Sequence, residues 1–155
     1  FSINDKIIIV SKNYIKSIKL LYHNSKNLKS LGCKVYIGNI VWNQVKNILT
    51  DDIHKTKLIY SSDIDNNNLI IKKYNNPLKK NFINKKGFDK SLLIVNRGYG
   101  TGKYNFNYSI IDYNIINEYL IENHLLIVEY SCYINNDNLL ILYNKIIKSF
   151  QNNKT

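Results

Sequence analysis

The chain has no methionine, one arginine, one proline and two cysteines in 155 residues. The missing methionine, absent even at position 1, is expected if an initiator has been removed or if the chain is a piece of a longer one. Cys33 and Cys132 lie far apart, and neither they nor His23, His54 and His124 make a zinc-ligand spacing. Two free thiols fit a reducing interior, and both are expected to be small buried side chains. No apolar run approaches the ~20 residues that span a bilayer, and "FSINDKIIIV" is too short and mixed for a secretory signal. The reading is therefore intracellular and cytoplasmic, of bacterial or viral origin, with no membrane partner.

What is present is a globular composition, 45% hydrophobic, at a length that suits a single domain over 1–155. The formal net charge is +11, from 22 Lys plus Arg against 11 Asp plus Glu. The wealth of Lys, Asn, Ile and Tyr reflects A/T-rich codons, which accounts for lysine over arginine. It does not account for bases outnumbering acids two to one, so a polyanionic partner, most simply nucleic acid, is expected.

Hydrophobic patterning gives the elements. "IIIV" at 7–10 reads as a short buried strand, and Tyr14, Ile15, Ile18, Leu21 and Tyr22 fall at helical spacing, with lysines opposite. Leu28 and Leu31 carry the turn on to Gly32 as a helix stop. The stretch 33–42 reads as strand, 49–52 as a turn or helix start, and 57–62 and 69–74 as a hairpin around a loop at 63–68. Residues 75–90 read as a long surface connection. Residues 91–96 form a central strand and 103–112 a half-buried one; 119–130 reads as a further strand, with a helix open for its first part. Asp137 is placed to cap a last helix whose apolar face is Leu139, Leu142, Tyr143, Ile146, Ile147 and Phe150. The fold class is α+β: a β-rich mixed or antiparallel sheet with a helix near each end.

The lone arginine, Arg97, opens the glycine-rich stretch "NRGYGTGK". A phosphate-binding P-loop would need glycine at 97, and a dinucleotide fingerprint would need G-x-G-x-x-G, so both fail on spacing. Asp51, Asp52 and Asp63 lack the acid-x-Lys partner of a metal-dependent nuclease. No Ser-His-Asp or Cys-His motif is present, and His124 is most simply structural. No catalytic residue, metal ligand or cofactor-binding residue is assigned in this chain.

Binding chemistry is better supplied. Asn43 and Gln44 can bond adenine, and Lys46 can neutralise phosphate beside Trp42. Ser61 and Ser62 are small donors suited to phosphate oxygens or base edges. Arg97 suits guanine or phosphate. Tyr99 and Tyr104 offer rings, and Lys103 adds charge. All sit at strand ends or loops, where recognition residues are placed.

In order, "GNIVWNQVKNILTDD", "LIYSSDI", "LLIVNRGYG", "FNYSIID", "YLIENHLLIV" and "LYNKIIKSF" resemble the C-terminal target-recognition region of N6-adenine DNA methyltransferases of restriction–modification systems. The resemblance runs from about Leu31 to the end. It implies a sequence-specific double-stranded DNA recognition domain, a fragment of a longer methyltransferase. The catalytic domain would lie in the same or a partner chain and bind S-adenosylmethionine. The Asn-Pro-Pro-Tyr motif that holds a flipped adenine is absent here, since Pro77 is the sole proline. The chain alone is thus not expected to transfer methyl groups. The resemblance makes Arg97 the first DNA contact, Asn43 and Gln44 candidate base contacts, and Lys46, Lys103, Ser61 and Ser62 backbone contacts. Two alternatives stay open: a binding module for RNA or single-stranded nucleic acid, and a non-catalytic interaction domain.

Overall fold

The structure, a computed structural model, describes residues 2–3, 6–7, 9–23, 25–97 and 106–152. Strands β1 (Ser2–Ile3) and β2 (Lys6–Ile7) form a small hairpin, followed by helix α1 (Ile15–Tyr22). Then come β3 (Cys33–Ile37), β4 (Leu49–Thr50), β5 (Thr56–Ile59), β6 (Ile64–Asp65), β7 (Asn68–Leu69) and β8 (Phe82–Ile83). Strands β9 (Leu92–Asn96), β10 (Tyr108–Ile111), β11 (Tyr119–Ile121) and β12 (Leu125–Tyr130) precede helix α2 (Asn136–Asn152). This is a β-rich α+β fold with a helix near each end.

Two four-stranded sheets carry it. The first has the order β10-β9-β12-β3 and is antiparallel throughout; the second has the order β11-β5-β8-β4, with β11 and β5 parallel. Side chains alternate across a strand, and β9 shows the consequence. Leu92 and Ile94 face Ile59, Ile121 and Tyr119 of the second sheet. Leu93 and Val95 face Leu139, Tyr143 and Ile146 of α2. A third cluster, around Ile40, Leu58, Tyr60, Ile83 and Leu120, covers the other side of the second sheet. The order of layers is therefore helix, sheet, sheet and a coat of short 3₁₀ turns.

Several expectations are corrected. Of residues 7–10, Ile8 lies outside the described residues; Ile7 is in β2, and Ile7 and Ile9 are 83% and 93% exposed, not buried. Helix α1 carries the expected stripe but buries none of it and ends at Tyr22; Gly32, at φ +80°, closes a separate turn over Leu28–Gly32. The strand beginning at Cys33 ends at Ile37. Leu49–Thr50 is a strand running into a turn. The 57–62 and 69–74 stretches do not pair with each other. The hairpin here is β6–β7, turned at Asn66 and Asn67 with φ 48° and 64°, a left-handed pair that Asn tolerates. Within the supposed surface connection, β8 is an interior strand of the second sheet, and Ile83 is fully buried. Strand 119–130 is two strands split by Glu122–His124. Asp137 is not the cap of α2; the Asn135 side chain accepts the Asn138 N–H at 2.9 Å, and Asp137 lies inside the first turn. Cys33 is buried as expected, but Cys132 is exposed.

Candidate nucleic-acid interface

The registers bring one set of strand ends together. Leu125 at the start of β12 faces Asn96 at the end of β9, and Leu126 faces Ile37 at the end of β3. In the second sheet Ile121 at the end of β11 faces Ile59 at the end of β5. The sheets are joined at this end: the Glu122 N–H donates to Ile59 O (2.9 Å), Asn123 N–H to Ile40 O (2.9 Å) and Gly38 N–H to Leu125 O (2.9 Å). The backbones are so close that a Cβ on Gly38 would lie 2.2 Å from Glu122 O. The ends of β3, β5, β9 and β11 and the start of β12 are therefore gathered in one region.

Ser61, Ser62, Asn96, Arg97 and His124 line an open cleft of about 330 Å³ there. Three of the sequence-expected residues, Ser61, Ser62 and Arg97, thus come together although 36 positions separate Ser61 from Arg97. Arg97 is exposed, and its N–H donates to His124 O at 3.0 Å, which fixes the backbone from which the guanidinium projects. Beneath the floor lies Glu122, 2% exposed. Its Oε2 accepts the Ser61 N–H (3.1 Å) and the Ser61 hydroxyl (3.3 Å), and its Oε1 faces His124 Nδ1 at 3.1 Å. A buried carboxylate needs such donors to be tolerated. Asp63, fully buried, accepts the Tyr60 and Lys72 N–H groups (2.9 Å each) and the Tyr74 hydroxyl (2.8 Å).

Asn43 and Gln44 lie on the 3₁₀ turn Trp42–Gln44, and Lys46 on the next turn, Lys46–Ile48; all three are exposed. None of the three lines the cleft. Trp42 is half-buried against the third core cluster, so its first role is to anchor this turn. Tyr99 and Lys103, with Tyr104, lie outside the described residues.

Sequence reading missed a cation cage beside the cleft. Lys79 Nζ sits 4.1 Å from the Tyr60 ring centre, 3.9 Å from Tyr74 and 5.9 Å from Trp42, while Lys46 approaches Trp42 at 5.8 Å. Tyr60 and Tyr74 meet edge to face at 4.9 Å. Burial pushes the Lys79 ammonium below its ordinary pKa, against the opposing pull of Glu122 and Asp63. Burial likewise pushes both tyrosines up, so their hydroxyls stay protonated. No local signal marks Lys79, because its three rings come from three separated segments. Glu122 and His124 were missed for another reason: the polar triplet Glu122–His124 was absorbed into one long strand.

Asp51, Asp52, Asp65, Asp89 and Asp137 are exposed, and the other described carboxylates are not. Asp63, Glu122, Glu118, Asp112 and Glu129 all turn into hydrogen bonds with neighbouring backbone or side chains. Lys12, Lys16, Lys26, Lys29, Lys34, Lys46, Lys55, Lys73, Lys85 and Lys86 face solvent. Exposed lysines thus outnumber the exposed carboxylates.

Among the described residues no three His, Cys, Asp or Glu side chains gather as a metal site, and no helix is long and apolar enough to cross a membrane. The chain matches no protein-family model, no curated protein and no solved structure.

Proposed function

We propose that this chain is a sequence-specific double-stranded DNA recognition module, of the kind an adenine-N6 DNA methyltransferase uses to choose its site. Methyl transfer and S-adenosylmethionine binding belong to a separate catalytic domain in the same or a partner chain. The observation that carries the reading is the convergence of Arg97, Ser61 and Ser62 at one end of both sheets, where the neighbouring Glu122 and Asp63 carboxylates are turned inward. A base-reading group must stand on a rigid support and project into solvent. The doubly buried β9 supplies the support for Arg97, and α2 holds β9 from behind.

The test is competition between duplex and single-stranded DNA for the chain, with Arg97→Gln alongside. The expected result is preference for duplex, reduced about tenfold by the substitution, as for loss of one charged bidentate contact. Better competition by single strands, or no effect of Arg97→Gln, would overturn the reading in favour of a single-strand binder or an interaction domain.

A further inference from the structure

The serine hydroxyl protons at the cleft are already committed. Ser61 donates to the buried Glu122 carboxylate at 3.3 Å. Tyr74 donates its proton to Asp63 at 2.8 Å, so in its 2.9 Å contact with Ser62 the serine must be the donor. A hydroxyl has one proton and two lone pairs. Both serine oxygens are therefore left as acceptors, whereas Arg97, lining the same cleft, can only donate.

That pattern fits a phosphate poorly. Phosphate oxygens are acceptors and would meet lone pairs at both serines. Recruiting the Ser61 proton would strip a donor from a carboxylate that is 2% exposed, a costly loss. An anion would also sit one hydroxyl away from the Glu122 charge. A neutral edge with a donor beside an acceptor fits instead. Of the four bases, only adenine presents that pair in the major groove, with N6–H₂ as donor and N7 as acceptor.

We infer that the cleft reads the major-groove edge of an adenine that stays paired in the duplex, the Ser62 and Ser61 oxygens sharing the one amino hydrogen that base pairing leaves free while the Arg97 guanidinium donates to N7. This rests on the duplex-recognition reading and assigns the two serines to base reading instead of backbone contact. The cage of Trp42, Tyr60 and Tyr74 around Lys79 supports the geometry, because Tyr74 fixes which way the Ser62 proton points.

The experiment begins with selection of bound sequences from a randomised duplex library. Single positions of the enriched site are then replaced by purine, which lacks the amino group, or 7-deazaadenine, which lacks N7. At one adenine, purine should weaken wild-type binding roughly tenfold, and the loss should vanish in Ser62→Ala. At the same adenine 7-deazaadenine should weaken wild type but not Arg97→Gln. If Ser62→Ala instead weakens all sequences equally and flattens the salt dependence, the serine grips phosphate and the inference is overturned. A nuclear magnetic resonance titration with adenosine and with purine riboside separates the two readings. If no duplex binds but adenosine alone shifts the Ser61, Ser62 and Arg97 amides, the cleft assignment stands and the duplex reading falls. If adenosine shifts nothing and no duplex binds, both fall.

Discussion

Trp42 is the only tryptophan in the chain, and two ammonium groups approach it. Lys79 ties the Trp42 turn, the Tyr60 tip and the Tyr74 segment through one cation, a contact worth about 1–2 kcal/mol when partly desolvated. Lys79→Met, which keeps the stem and removes the charge, should lower unfolding stability in urea by about 1 kcal/mol and shift Trp42 fluorescence; unchanged emission would show that the cage does not hold the turn. A second residue-scale effect belongs to Glu129. Burial would push its carboxyl up, but hydrogen bonds from Lys90 and from Tyr36 (2.5 Å) outweigh burial and hold it below its ordinary 4.5. A carboxyl depressed in the folded state adds stability above its unfolded value, and that stability is lost as pH falls through the folded value. Glu129→Gln should therefore flatten the fall in melting temperature below about pH 4.5, set by the ordinary value, while costing stability at neutral pH. Placement was legible where chemistry and exposure coincide, as at Arg97, which is exposed just past the end of β9. It was illegible where a role depends on a neighbour brought by folding, as at Lys79 and Glu122.

The elements divide by how much each owes to its own pattern. β9 reads from "LLIV" alone because a strand buried on both faces is a continuous apolar run. α2 reads from 3.6-residue periodicity, and the face expected for it is the one that packs on the first sheet. By contrast, β8 has two strand residues, Phe82 and Ile83, too few for any period to show. Its place between β5 and β4 is fixed by long-range pairing. The α2 cap was misread by two residues because Asn135, Asn136 and Asp137 are all competent caps and only geometry separates them. The candidate interface shares this dependence, since it exists only where two sheets meet at Gly38. Gly38→Ala would drive a Cβ to 2.2 Å from Glu122 O and 2.6 Å from Ile121 O, both backbone atoms that cannot swing aside. We expect a loss of about 2–3 kcal/mol and displaced amide resonances at Ser61, Glu122 and His124. A native-like spectrum with unchanged stability would show that the sheet junction is looser than described.

For the whole molecule, composition gave the sign and size of the charge, and the fold adds its distribution. Asp63, Glu122 and Glu118 satisfy inner donors, and exposed lysines outnumber the five exposed aspartates. The outer coat of 3₁₀ turns, unforeseen from sequence, carries Asn43, Gln44 and Lys46, all exposed. A duplex lying across the cleft would release counterions in proportion to the phosphates it engages, with log affinity falling by about 0.9 per log unit of salt for each. The decisive measurement is affinity for duplex DNA from about 50 to about 200 mM salt, a range over which a several-phosphate contact loses orders of magnitude. A steep negative slope, made shallower by roughly one unit in Lys46→Ala, is the expected outcome. An affinity indifferent to salt, or none at the lowest salt, would contradict it.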